Sequence, residues 1–218
     1  MDPPPPKTDF AWNGNTDGAV YLCSPPLFNS ADPDYGLTFT RWLPGAPALP
    51  PPDPEELAWR AVAELQLSKV TIATFPQATS KNSDSMGIVG FPVPVWADTS
   101  QTDLGSRTAS ASERGFTVSL TATLDKVVWD FGDGSQAVTC SGPGAPYTKS
   151  TLSPEHKVVC GYQSGYRKQG DYTITATAHW DVAWTGIGQS GTIEQELVSE
   201  EQLRVGEYQV VNVMPKSP

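Results

Sequence analysis

Val127-Val128-Trp129-Asp130-Phe131-Gly132-Asp133-Gly134 decides how the rest of this sequence reads. Val127, Trp129 and Phe131 share one face of an extended chain, while Val128 and Asp130 share the other. Gly132-Asp133-Gly134 then halts the strand. Two glycines supply positive φ without steric cost, and an aspartate between them can bond back to its own turn. An aromatic strand therefore enters a core and reverses sharply, and Ala137–Cys140 is expected to pair back on it as a hairpin. Upstream, Phe116, Val118, Leu120, Ala122 and Leu124 alternate with Thr117, Ser119, Thr121 and Thr123, which predicts a strand with one wet face. Asp125-Lys126 is read as the turn between these two strands. Downstream, Tyr172, Ile174, Ala176, Ala178, Trp180, Val182 and Trp184 alternate with Thr173, Thr175, Thr177, His179 and Asp181, the longest strand pattern in the chain. Gly186–Gly191 is expected to turn it into a closing strand, Thr192–Val205.

Trp129-Asp130-Phe131-Gly132-Asp133-Gly134 resembles the signature of PKD-type domains, and Gly170-Asp171-Tyr172-Thr173-Ile174-Thr175 is similar to their second signature. The usual His-x-Tyr before that strand is replaced by Cys160-Gly161-Tyr162, which implies a divergent branch. The resemblance implies a mainly β, immunoglobulin-like sandwich on a secreted or surface protein. The chain also resembles a group of actinobacterial surface proteins, through Pro54-Glu55-Glu56-Leu57, Val89-Gly90-Phe91-Pro92, two cysteines and Val205-Gly206-Glu207, across about residues 50–210. An architecture alone does not say what is bound.

Composition narrows the function. The 218 residues carry 14 Lys and Arg against 24 Asp and Glu, a net charge of −10. No basic cluster exists for a nucleic-acid backbone. No apolar run approaches the length of a membrane span. Met1-Asp2-Pro3-Pro4-Pro5-Pro6 lacks the basic start and apolar stretch of a secretory signal, so an exported protein with this sequence is expected to carry its targeting or anchoring segment elsewhere. Of three cysteines, Cys140 and Cys160 end short segments on either side of a Gly/Pro/Ser loop and are the favoured disulfide pair, leaving Cys23 free. Free thiols of a cytosolic protein are the alternative. Metal spacing between Cys and His is missing, and no cofactor is expected.

Residues 1–52 read as a Pro-rich extended arm, with Ala19–Cys23 and Gly36–Trp42 as edge-strand candidates, or else as a loose arm with scattered aromatics. Residues 53–68 read as an amphipathic helix: Asp53 is the N-cap, Pro54 the first helical residue, and Glu56 the partner of a capping box. Leu57, Ala58, Ala61, Val62 and Leu65 form its stripe, which is expected to pack on the sandwich at residues 69–210. Within the sandwich, Lys69–Thr74 is a strand. Val89, Phe91, Val93 and Val95 share a phase with Pro92 and Pro94 opposite, which predicts an edge strand. Arg107–Ser112 is a further edge, and Lys157–Tyr162 returns to the sheet. Residues 211–218 form a tail.

Candidates for chemistry are few. His156 and His179 have no nucleophile turn beside them. Asp130 and Asp133 could approach Ca²⁺, but turn formation explains them better, and Asp32, Asp34 and Asp53 lie among prolines. Glu200 and Glu201 are adjacent on a strand and point to opposite faces, so they cannot flank a glycosidic bond. They read as edge charges. Trp180 and Trp184 would stack on sugars if their face were exposed, although their alternation with threonine places them inward. The expectation is a non-enzymatic extracellular or cell-surface spacer or protein-interaction module whose partner is an envelope or secreted protein. A carbohydrate-binding module for cell-wall glycan is the alternative.

Overall fold

The computed structural model describes residues 4–23, 38–46, 49–147 and 157–209. His156, Asp32, Asp34, Gly36 and the tail at 211–218 lie outside them. The chain divides into two units, residues 1–50 and 51–218.

In the first unit, β1 (Ala19–Cys23) pairs antiparallel with β2 (Phe39–Leu43), Val20 opposite Trp42. The two candidate edge strands thus pair with each other. Trp12 is buried with Ala11 and Val20, and Trp42 packs against them. The Trp12 indole N–H donates to Pro5 O (2.9 Å), and the Trp42 indole N–H to Asp17 O (2.7 Å). The Lys7 ammonium sits 3.3 Å from the Trp12 ring centroid. Two tryptophans give this short unit a core of its own.

The second unit is mainly β. It begins with α1 (Pro54–Val62), extended by one 3-10 turn, Ala63–Leu65. Asp53 caps it by accepting the Glu55 N–H (2.9 Å). Glu56 does not complete a capping box; it meets Arg60 (3.3 Å), which also reaches Glu113 (2.7 Å). Leu57, Ala58, Ala61 and Leu65 are buried in the same core as the strands.

The principal sheet runs β4 (Gly87–Ile88), β11 (Gln189–Gly206), β10 (Gly170–Gly186), β7 (Phe116–Asp130) and β6 (Arg107–Glu113), with β8 (Val138–Ser141) beside the far end of β7. A half-barrel sheet is present in the fold. Asp125-Lys126 is no turn: β7 is one strand of 15 residues. His179 faces Lys126 while Trp180 faces Leu124, so Asp125 is the unopposed residue of a bulge. Its reason is parity. Val118, Leu120 and Ala122 are buried at even positions and Val127 and Trp129 at odd ones. One inserted residue keeps both halves facing the core. The β10–β11 turn is also tighter than expected. Gly186 pairs with Gln189, leaving only Ile187 (φ 52°) and Gly188 (φ 76°) between them. Two positive φ values match the twist of a two-residue hairpin, so β11 starts three residues before Thr192.

A second sheet orders β3 (Ile72–Thr74), β5 (Val93–Ala97) and β9 (Gly161–Tyr162). Two expectations change here. β5 is the central strand rather than an edge, and β9 pairs with β5 instead of joining the principal sheet. Pro94 is tolerated because its carbonyl does the bonding, accepting from Phe75 N (3.1 Å) and Thr74 Oγ1 (3.1 Å). Val95 N donates to Cys160 O (3.1 Å) on the other side. Val93, Val95 and Ala97 share a core with Val127, Trp129, Ile174 and Leu203 of the principal sheet.

Candidate functional site

The Trp129–Gly134 stretch builds its turn from its own carboxylates. Asp130 Oδ1 accepts the Gly132 N–H (2.7 Å), and Asp133 Oδ1 accepts the Ser135 N–H (3.0 Å). Gly132 has φ 72°, and a Cβ there would lie 2.5 Å from Thr173 O, so the position requires glycine. Asp133 Oδ2 accepts the Tyr162 hydroxyl (2.7 Å). Burial would raise the Asp133 carboxyl, but the bonds from Ser135 and Tyr162 outweigh it and hold the carboxyl below its ordinary value. Phe131 stacks on Tyr162 (4.7 Å), Tyr162 meets Tyr166 edge-on (5.2 Å), and Tyr166 stacks on Tyr172 (4.1 Å). The Tyr166 hydroxyl donates to Phe131 O (3.0 Å), and burial pushes its pKa well up. Gly170, also φ-positive, opens β10 beside the Tyr172 ring. Phe131, Tyr162, Tyr166 and Tyr172 thus form one aromatic cluster, pinned through the Asp133 carboxylate and the Phe131 carbonyl. Among the described residues no group of three or more His, Cys, Asp or Glu could hold a metal ion.

Cys140 and Cys160 form a disulfide, with Cα atoms 5.9 Å apart. Cys140 lies opposite Val127 in the principal sheet, and Cys160 bonds to β5 in the second. The bridge therefore fastens one sheet to the other. Cys23 is a free thiol.

Trp180 and Trp184 are 1% and 8% exposed, so neither is a platform for a sugar ring. Gly191 lies opposite Trp184, where a Cβ would come within 2.8 Å of the indole nitrogen. His179 Nδ1 is 3.2 Å from Glu196 Oε1, a cross-strand surface pair. Glu201 Oε2 accepts the Ser80 hydroxyl (2.6 Å), while Glu200 is exposed. These residues stay apart.

An apolar groove was not expected from the pattern. A groove of about 570 Å³ is lined by Phe75, Pro76, Met86, Gly87, Ile88, Phe91, Pro92, Val93, Pro94, Tyr147 and Val158, with Gln163 and Ser164 at one side. Phe75 is 52%, Met86 50% and Phe91 59% exposed. Phe91, expected to share a strand and a phase with Val93 and Val95, instead precedes β5 and is exposed. Phe91 closes a turn before the strand, its N–H donating to Ile88 O (3.1 Å) across Gly90 (φ 78°). Phe75 and Tyr147 stack at 4.7 Å. None of these lining side chains carries a charge. Two further open hollows lie beside Asp133 and Arg167 and beside Trp184. No protein-family model matches the chain, and neither does any curated protein or solved structure.

Proposed function

We propose that this chain is a non-enzymatic interaction module of an extracellular or cell-surface protein, a divergent PKD-type sandwich that holds a partner protein in its uncharged aromatic groove. The groove carries the reading. Phe75, Met86 and Phe91 leave large apolar surfaces in water at one place, which folding gives no reason to do and partner binding does. Among the described residues Tyr147 is the one titratable side chain lining it, and its ring stacks on Phe75, so binding is the work this groove suits. The disulfide accords with an oxidising compartment, and no described helix is long and apolar enough to cross a membrane. The partner would be an envelope or secreted protein.

A glycan module is the weaker reading. Sugar recognition asks for exposed aromatic faces edged by many polar side chains, whereas Trp180 and Trp184 are buried and, among the described residues, the groove offers Gln163, Ser164 and the Tyr147 hydroxyl. The test is a Phe75→Ser/Phe91→Ser double variant. We expect co-purification of the envelope partner to be lost while the circular dichroism and the Cys140–Cys160 bridge are retained. Binding to cell-wall glycan that survives this variant and disappears in Trp184→Ala would reverse the choice.

A further inference from the structure

A second open surface is an edge of the principal sheet. Gly186 and Gln189 close a two-residue turn and so form a bonded pair; bonded pairs then recur at every second residue of the ladder. Odd-numbered residues of β11 therefore bond to β10, and even-numbered ones direct their N–H and C=O away from it. Two contacts agree with this parity. Gln202 O accepts the Thr79 N–H (2.9 Å) and Gly206 O accepts the Val89 N–H (3.0 Å), both from outside the β10–β11 ladder. The loop at Thr79 and strand β4 thus close the edge from Gln202 onward. From Ser190 to Glu200 no strand among the described residues pairs with it.

The same even-numbered residues direct their side chains to the solvent face. There Glu194, Glu196 and Glu200 stand exposed in one row, interrupted by Val198. Like charges opposite one another destabilise a strand pair, so a second copy of this acidic edge is a poor occupant. A strand bearing Lys or Arg on that face is a good one. Its alternate residues would extend the inner face beside the half-buried Leu197, short of Ser199, whose hydroxyl already donates to Val70 O (2.6 Å).

We propose that the β11 edge from Ser190 to Glu200 is a strand-addition site for an extended segment of a partner protein that alternates basic and apolar residues. Main-chain bonds to the even-numbered residues give the affinity, and the glutamate row selects the occupant. The net charge of −10 favours the encounter. The site is separate from the aromatic groove and does not depend on the function assigned there.

The test uses the whole chain and a capped peptide alternating lysine and valine, with a lysine–proline peptide of equal charge as control. Amide exchange is read by NMR. In the free protein the N–H groups of Thr192, Glu194, Glu196 and Val198 exchange fast while those of Ile193, Gln195 and Leu197 are slow. The lysine–valine peptide slows the even set, and the proline control binds at least about ten-fold more weakly. Glu196→Pro removes one outward donor and leaves the β10 ladder whole, because edge strands tolerate proline where the N–H faces solvent; it abolishes protection. Glu194→Lys/Glu196→Lys, which leaves the backbone untouched, abolishes it too. Equal binding of both peptides would mean that charge alone attracts them and would overturn the proposal. So would unaltered binding by a folded Glu196→Pro protein, unaltered binding by the double lysine variant, or no protection of the even set.

Discussion

Asp133 holds the Ser135 amide with one oxygen and the Tyr162 hydroxyl with the other, so its ionised form is the one the fold uses. Its folded-state pKa is depressed. Its contribution is therefore complete above the unfolded-state value of about 4 and disappears as pH falls through the lower folded-state value. Asp133→Asn should cost about 1–2 kcal/mol at neutral pH, since bonds to a charged acceptor are among the stronger ones. Urea unfolding at pH 7 and again near pH 2.5 checks this, and the gap between variant and parent should narrow at the lower pH. Gly132→Ala should be worse, by at least about 2 kcal/mol, because it meets both an unfavourable positive φ and the Thr173 carbonyl. These residues were legible in the sequence. Glycine flanking aspartate after an aromatic strand has few other structural uses, and both glycines do have positive φ.

At the scale of elements, the disulfide was legible for a similar local reason: two cysteines flank one Gly/Pro/Ser loop. It closes a separation of 20 residues and ties β8 to the β5–β9 pair. Losing it in Cys140→Ser/Cys160→Ser should cost about 3 kcal/mol in the chain-entropy account, read from chemical unfolding. A thiol count should give one free thiol before reduction and three after, because Cys23 is unbridged. What the sequence hid were the relations between elements. The change from even to odd apolar positions between Ala122 and Val127 was visible, but a turn and a bulge both produce it. Only the unbroken pairing with β10 distinguishes them. Pro94 suggested an edge because its missing N–H was weighed and its carbonyl was not. The two N-terminal strands could be found by pattern, yet nothing local revealed that each is the other's partner.

At the scale of the whole molecule, the buried tryptophans were legible from their alternation with threonine, whereas the groove was not. Phe75, Met86, Phe91 and Tyr147 all lie outside the regular elements, the last of them far along the chain from the other three, so no periodicity links them. Their exposure makes the groove the place where an interaction partner is expected. The direct measurement is photo-cross-linking on intact cell envelope from a benzoylphenylalanine at position 91, with position 121 on the threonine-rich face of β7 as control. Capture of one envelope protein from position 91 and none from 121 is the predicted result. Equal capture from both positions, or capture of glycan strands in place of protein, would contradict the account.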